Sequence, residues 1–286
     1  MERILNDKVA IVTGGGTGIG EAISKKFAAH GAKVIVCGLW DDPIDQVVNE
    51  IHSQGGVAIS YKGDMSEEEQ ARDCVQFAVR TYGKLDILIN NAGVFPAIDY
   101  IQDYPTEAFL YLMKNNVQSV YMMTKHAIPE LQKTKGCIVS AGSEAGLLGN
   151  AQNAPYAGTK GFIHAFTRSI AAEQAHYGVR ANCVCPGPIN TSWMHPSESP
   201  ISTGMKMMYK SATAMGRFGT TEEVANVYLF LASDMASYVT GSLYSVDGGM
   251  VINKGPMGMM ADSAMKHQPE GQLNLQHQDE PQAVLF

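Results

Sequence analysis

The sequence predicts an α/β fold built on a doubly wound, seven-stranded parallel sheet, and three observations carry that reading. Short β-branched runs alternate with helical stretches from residue 9 to about residue 246. The strand runs are continuously apolar rather than alternating, as expected when helices cover both faces of a parallel sheet. Each run is separated from the next by enough chain for a helical crossover, which must return right-handed to the same sheet.

Val9-Ala10-Ile11-Val12 is the first strand, followed by a helix over 18–30 that Gly31 closes. Lys33-Val34-Ile35-Val36-Cys37 is the second, with a helix over 44–53 after it, and Val57-Ala58-Ile59-Ser60-Tyr61 is the third. A helix over 67–81, a strand over 85–90, a long helix from about 106 to 131 and a strand over 137–140 continue the alternation. A helix over 155–175 leads into a strand over 179–185, and a helix over 222–232 leads into the last strand, 243–246. No repeat or linker interrupts residues 1–250, so that stretch is expected to be one domain. Residues 251–286 follow as an extension rich in Met, Gln, Gly and Pro, whose composition reads as a flexible end.

Composition excludes several function classes. Hydrophobic residues make up 45% of the 286 and charged residues 17%, enough for a large core and too apolar for a disordered chain. The net charge of −7 gives no cationic footprint for nucleic acid. No apolar run approaches the roughly 20 residues of a membrane span, and the first residues carry no apolar leader core. The five cysteines (Cys37, Cys74, Cys137, Cys183, Cys185) are odd in number and contain no CxxC pair. Cys183 and Cys185, two apart, would share one face of a strand, which suits packing better than ligation. Reduced thiols in a cytoplasmic protein are the expectation. His164 and His195 stand alone in the sequence, and no metal site is expected.

The chemistry begins at Thr13-Gly14-Gly15-Gly16-Thr17-Gly18-Ile19-Gly20, directly after the first strand and at the start of the first helix. Glycines there permit a tight turn and close backbone approach to a pyrophosphate, which faces the positive end of the helix dipole. The position marks a Rossmann-like dinucleotide site. The spacing TGxxxGxG resembles that of the short-chain dehydrogenase/reductase family, and further marks of that family follow in order. Asn90-Asn91-Ala92-Gly93 ends the fourth strand, Tyr156-Ala157-Gly158-Thr159-Lys160 matches YxxxK, Pro186-Gly187-Pro188-Ile189-Asn190-Thr191 follows the sixth strand, and Val246-Asp247-Gly248-Gly249 resembles the usual ending. The resemblance covers roughly residues 6–250.

Tyr156 and Lys160 are four apart and therefore on one helical face. A free tyrosine, with a pKa near 10, is a poor base at neutral pH. A neighbouring ammonium favours the phenolate, so Lys160 is expected to lower the Tyr156 pKa. The resemblance implies that Lys160 also bonds the nicotinamide ribose, that Ser143 steadies the substrate oxygen, and that Asn116 completes a water-linked proton relay. Ser140 and Asn115 are the rival registers. Hydride would pass between nicotinamide C4 and a carbinol or carbonyl carbon while Tyr156 exchanges the oxygen's proton.

For the cofactor, the resemblance assigns Gly14, Gly16, Thr17, Gly18, Ile19 and Gly20 to the phosphate turn and Leu39 to the end of the second strand. It assigns Asp64 and Met65 to the adenine, Asn90, Asn91, Ala92 and Gly93 to the cleft wall, and Pro186, Gly187, Ile189 and Thr191 to the carboxamide side. The acid that usually binds the adenosine ribose in NAD users aligns with Gly38, and the arginine of many NADP users aligns with Leu39. Thr17 supplies no positive charge either. Asp41 and Asp42 would repel a 2′-phosphate if they face it, or they simply cap the next helix ahead of Pro43. The expectation is NAD, with NADP as the alternative.

Residues 190–216 hold Trp193, Met194, Met205, Met207, Met208, Tyr209 and Met215, and read either as an adaptable apolar substrate lid or as short packed helices. Glu144, Gln152, Asn153 and His195 offer polar contacts for a sugar, polyol or cyclic alcohol. The resemblance implies a homodimer or homotetramer formed through the helices near 106–131 and 155–175 and through the last strand. Because the tail begins where that strand ends, it is expected to cross a subunit boundary and pack near a neighbour's lid. The competing readings are a 3-oxoacyl-carrier-protein reductase using NADPH and a non-catalytic dinucleotide sensor.

Overall fold

The computed structural model describes residues 3–194 and 201–253; His195 and nearly all of the 251–286 extension lie outside that range. Seven strands run in the order β3-β2-β1-β4-β5-β6-β7, and every neighbouring pair is parallel. They are β1 (Val9–Thr13), β2 (Lys33–Gly38), β3 (Val57–Lys62), β4 (Ile87–Asn90), β5 (Cys137–Ala141), β6 (Arg180–Pro186) and β7 (Leu243–Val246). The helices are α1 (Gly18–Ala29), α2 (Ile44–Ser53), α3 (Glu68–Tyr82), α4 (Thr106–Leu112), α5 (Ser119–Thr134), α6 (Ala154–Gln174), α7 (Thr203–Ala212) and α8 (Thr221–Ala232).

Strand alternation divides the core in two. Ala10, Val12, Val34, Val36, Ile89 and Val139 face α1, α2 and α8, packing with Phe27, Ile51 and Tyr228. Val9, Ile11, Ile35, Leu88 and Ile138 face the other way, onto Val75 of α3, Met123 of α5 and Ile170 of α6. Both strand faces are thus buried, which is why the runs are apolar without alternation. The strand order reverses between β1 and β4, and a crevice opens beyond their carboxyl ends.

Three local features differ from the sequence expectation. The long helix near 106–131 is interrupted by a widened π-type turn at Met113–Gln118 before it resumes as α5; apolar periodicity does not register one extra residue in a turn. A helix, α7, lies within the 190–216 segment, started by Ser202, whose hydroxyl accepts from Met205 N. None of its residues is buried, so it is not core packing. A capping box at Thr220 and Glu223 opens α8. Among the described residues no helix is long and apolar enough to cross a membrane. All five cysteines are buried free thiols.

Candidate active site

The crevice at the β1/β4 reversal is a cleft of about 400 Å³. At its floor, Gly20 lies so close to the preceding turn that a Cβ there would stand 1.9 Å from the Gly14 carbonyl oxygen. Only glycine lets α1 approach at this distance. Thr17, at the N-cap of α1, makes no side-chain capping bond, so the first-turn amides are left for a ligand. Thr13 Oγ1 accepts from Asn91 N (3.0 Å) and Ala92 N (3.1 Å), and Asn91 Nδ2 donates to the carbonyls of Thr13 and Gly14. These bonds tie the β1 turn to the β4 end. An uncapped helix start, a glycine floor and this roomy cleft fit a dinucleotide pyrophosphate.

Gly14, Thr17, Gly18, Ile19, Gly20, Leu39, Asp64, Met65, Asn91, Ala92, Gly93, Pro186, Gly187, Ile189 and Thr191 all line the cleft, as the sequence reading placed them. Gly16 and Asn90 do not. A Cβ on Gly16 would meet Ile44 Cγ2 at 2.8 Å, so its bareness serves packing of the turn on α2. Asp42 was left open by the sequence and proves to line the cleft. Its Oδ2 accepts from Leu39 N at 2.7 Å and lies 2.7 Å from where a Gly38 Cβ would be. The carboxylate missing at the end of β2 is thus replaced from four residues on. Asp41 is not on the lining, and Lys160 is the one Lys or Arg among the described lining residues.

At the other end, Ser143, Tyr156 and Lys160 converge on the same cleft. Pro155 and Tyr156 open α6 within its first turn. Lys160 Nζ donates to Ala141 O at 2.8 Å and stands 5.5 Å from the centre of the Tyr156 ring. Burial pulls the Lys160 ammonium down to about 8. The expected lowering of the Tyr156 phenol by Lys160 is not what the free protein shows. Burial, and then the Glu144 carboxylate, push that phenol above its ordinary value, with the Ser143 hydroxyl working the other way. Desolvation of the phenolate is the largest cause of that rise.

Ser143 N-caps a short turn at Glu144–Gly146, accepting from Ala145 N at 3.1 Å and donating to Glu144 Oε2 at 2.5 Å. Its rival Ser140 is buried in β5, where its hydroxyl accepts from Asn90 Nδ2 at 3.4 Å. Asn116 sits in the π-type turn, buried, with Oδ1 accepting from Val94 N (2.7 Å) and Nδ2 donating to Val94 O and Thr159 Oγ1. Its side chain ties the β4 loop to α6 and does not reach the cleft surface, whereas Asn115 lines it. Phe95, Tyr156 and Trp193 form an aromatic group with ring centres 4.9 to 6.3 Å apart. The sequence reading missed Phe95, and its place shortly after the NNAG stretch was the only signal for it.

His164 is not alone either, and the expectation of no His/Cys cluster is corrected. Cys183 and Cys185 share a face of β6, and α6 lays His164 across it. The three donor atoms lie within 4.8 Å of one another, close enough to share a metal ion. Cys185 Sγ is 3.2 Å from His164 Nε2 and 4.0 Å from Cys183 Sγ. Cys183 and His164 hold the Cys185 thiol below its usual range against the effect of burial. Residues far apart in sequence meet here only through helix-on-sheet packing.

The sequence model of the family described as Enoyl-(Acyl carrier protein) reductase matches residues 14–251. An L-rhamnose 1-dehydrogenase (NAD(P)(+)) from Sphingomonas sp. is 36% identical over 88% of this chain and 99% of its own length. The chain belongs to the short-chain dehydrogenase/reductase family. As such it is an NAD(P)-dependent oxidoreductase. An L-fucose dehydrogenase from Bos taurus is 36% identical over 87% of this chain and 91% of its own. A 3-oxoacyl-[acyl-carrier-protein] reductase from Thermotoga maritima is 34% identical over 87% and 99%. The crystal structure of gox2181 superposes with a TM-score of 0.81 at 32% identity, covering 87% of this short-chain dehydrogenase/reductase and 98% of that chain.

Proposed function

We propose that this short-chain dehydrogenase/reductase is an NAD-preferring dehydrogenase of a sugar, polyol or cyclic secondary alcohol. The observation that carries the reading is the convergence of Ser143, Tyr156 and Lys160 on one end of a glycine-floored cleft. A bound nicotinamide supplies the hydride acceptor or donor. In reduction the Tyr156 phenol gives its proton to the substrate oxygen; in oxidation Tyr156 takes the hydroxyl proton as the phenolate, the form that the neighbouring Lys160 ammonium favours. Ser143 bonds the reacting oxygen as charge develops on it. Lys160 places an ammonium beside the phenol, and Asn116, off the cleft lining, acts as a positioning residue that holds the loop after β4 against α6 rather than as a member of the relay.

Trp193, on the cleft lining and stacked on Phe95, gives the substrate end a flat apolar face, which suits the C–H face of a sugar ring. The relatives named for L-rhamnose and L-fucose support a sugar, and Asp42 together with the absence of Lys or Arg beyond Lys160 on the described lining supports NAD. The 3-oxoacyl-carrier-protein reductase reading is kept as the rival, because a relative of that name matches over similar length. The complete Ser-Tyr-Lys set argues against a non-catalytic sensor.

Exposed Leu110, Tyr111, Tyr121 and Phe162 on and around α4, α5 and α6 support a homodimer or homotetramer through those helices. The buried free thiols support a reducing, cytoplasmic setting.

Reduced-nicotinamide absorbance with L-rhamnose, L-fucose, cyclic alcohols and an acetoacetyl thioester tests the reading. Tyr156→Phe is expected to lower kcat by about 10²- to 10⁴-fold while dinucleotide binding, followed by calorimetry, persists. A variant with parental turnover on its best substrate would overturn the assignment, and thioester activity alone would favour the rival.

A further inference from the structure

Ser143 has one hydroxyl proton, and it is committed to Glu144. Oγ donates to Oε2 at 2.5 Å while accepting from Ala145 N at 3.1 Å. A serine held this way offers the cleft a lone pair and no donor. The oxygen of an alcohol being oxidised gathers negative charge and needs donors. The arrangement is therefore incomplete for the role of Ser143 until another donor takes its place on Glu144.

Among the described residues no side chain other than Ser143 is seen to donate to that carboxylate, and only the amides of Glu144 and Ala145 assist. Glu144 is 8% exposed and no ion pair reaches it among the described residues. Burial raises its carboxyl above the usual range, and the charge of Asp247 adds to this, while Ser143 and the amides of Glu144 and Ala145 oppose it. Ser143 lines the cleft and Glu144 Oε2 lies 2.5 Å from its hydroxyl, so the carboxylate stands directly beside the group that meets the reacting oxygen. A buried carboxylate in contact with a reacting serine is costly to the fold, and such groups mark functional sites.

We propose that Glu144 accepts a hydrogen bond from a second substrate hydroxyl, on the carbon adjacent to the reacting carbinol, so that the substrate is a vicinal diol or a sugar presenting one. A gauche neighbouring hydroxyl lies about one hydrogen-bond length from the reacting oxygen, matching the spacing of Oε2 from Ser143 Oγ. When that hydroxyl donates to Glu144, the Ser143 proton turns to the reacting oxygen. Donors and acceptors then balance, with the carboxylate, the serine and both substrate oxygens all paired. A 3-oxoacyl thioester carries no hydroxyl donor beside its ketone and leaves Ser143 bound to Glu144. The inference rests on the dehydrogenase reading and narrows it.

The test uses the full chain with NAD and three probes: 1,2-cyclohexanediol as separate cis and trans isomers, cyclohexanol, and 2-methoxycyclohexanol. The methoxy compound keeps the size and the oxygen of the diol and loses the donor. The better diol isomer is expected to exceed both mono-alcohols in kcat/KM by about 10- to 100-fold, the range for a hydrogen bond to a charged group. Glu144→Gln is expected to collapse that ratio to within a few-fold. Equal kcat/KM for the diol and the methoxy compound overturns the proposal using the unaltered protein alone, as does an unchanged ratio in a folded E144Q. Turnover of neither the probes nor L-rhamnose and L-fucose would strike instead at the dehydrogenase reading itself.

Discussion

The two ends of the cleft are built by different means. The cofactor end is mostly backbone: the β1 turn, the uncapped start of α1 and the end of β4, locked by Thr13 and Asn91 to strands that are fully buried. The substrate end is mostly side chain, assembled from Ser143, Tyr156 and Trp193, with Glu144 bonded to Ser143 and Phe95 packed against the rings of Tyr156 and Trp193. Geometry fixed by backbone tolerates almost no substitution and recognises what every dinucleotide shares. Geometry fixed by side chains can be changed residue by residue without disturbing the sheet. Recognition of the dinucleotide therefore lies at one end, and selection of the substrate at the other.

The largest effect that sharpens this contrast is expected at Gly20. Its added methyl would meet backbone, the Gly14 carbonyl at 1.9 Å, which no rotamer can relieve. Gly20→Ala should destabilise the protein by about 3 kcal/mol or more and abolish dinucleotide binding. Urea denaturation and calorimetry read the two losses. A variant that bound NAD as the parent does would mean the turn is pliable and the contrast false.

Lys160 stands where the two ends meet and should show what catalytic placement costs the fold. Its pKa in the folded chain is about 8 against an ordinary 10.5. The unfolded chain therefore binds more protons between those values, and stability rises with pH across that window. Below pH 8 the whole penalty is present, on the order of 3 kcal/mol from the size of the shift. Lys160→Met removes it while losing turnover and the bond to Ala141 O. The parent should gain on the variant by that amount between about pH 8 and 10.5 in cofactor-free denaturation curves. Parallel curves would show that burial does not hold the ammonium down.

The same contrast explains what the sequence discloses. The sheet is legible because both faces of its central strands are buried, and the phosphate turn because its backbone demands glycine at fixed intervals. Ser143 over Ser140 follows from distance to Tyr156 along the chain. Other parts depend on contacts between distant segments and leave no local trace. The meeting of His164 with Cys183 and Cys185 needs α6 laid on β6. Phe95 and Trp193 become neighbours only through Tyr156. The direction of the Tyr156 shift required the burial of the phenol and the presence of Glu144, and residue spacing reported only the lysine. The π-type turn around Asn116 has no periodicity to announce it.

Asp42 is a side-chain solution lodged in the backbone-built end, and it is the mildest way to break the contrast. Its carboxylate reaches back to the end of β2, bonding Leu39 N and filling the space beside Gly38. Asp42→Asn keeps an oxygen for Leu39 N and removes the charge that would repel a 2′-phosphate. The ratio of kcat/KM for NAD to that for NADP should fall by about tenfold, equivalent to about 1.4 kcal/mol. Asp41→Asn, one residue earlier and off the lining, should leave the ratio where it was. An equal fall in both variants would make the effect one of overall field rather than placement. No fall in either would return cofactor choice to the backbone, and with it the whole of that end of the cleft.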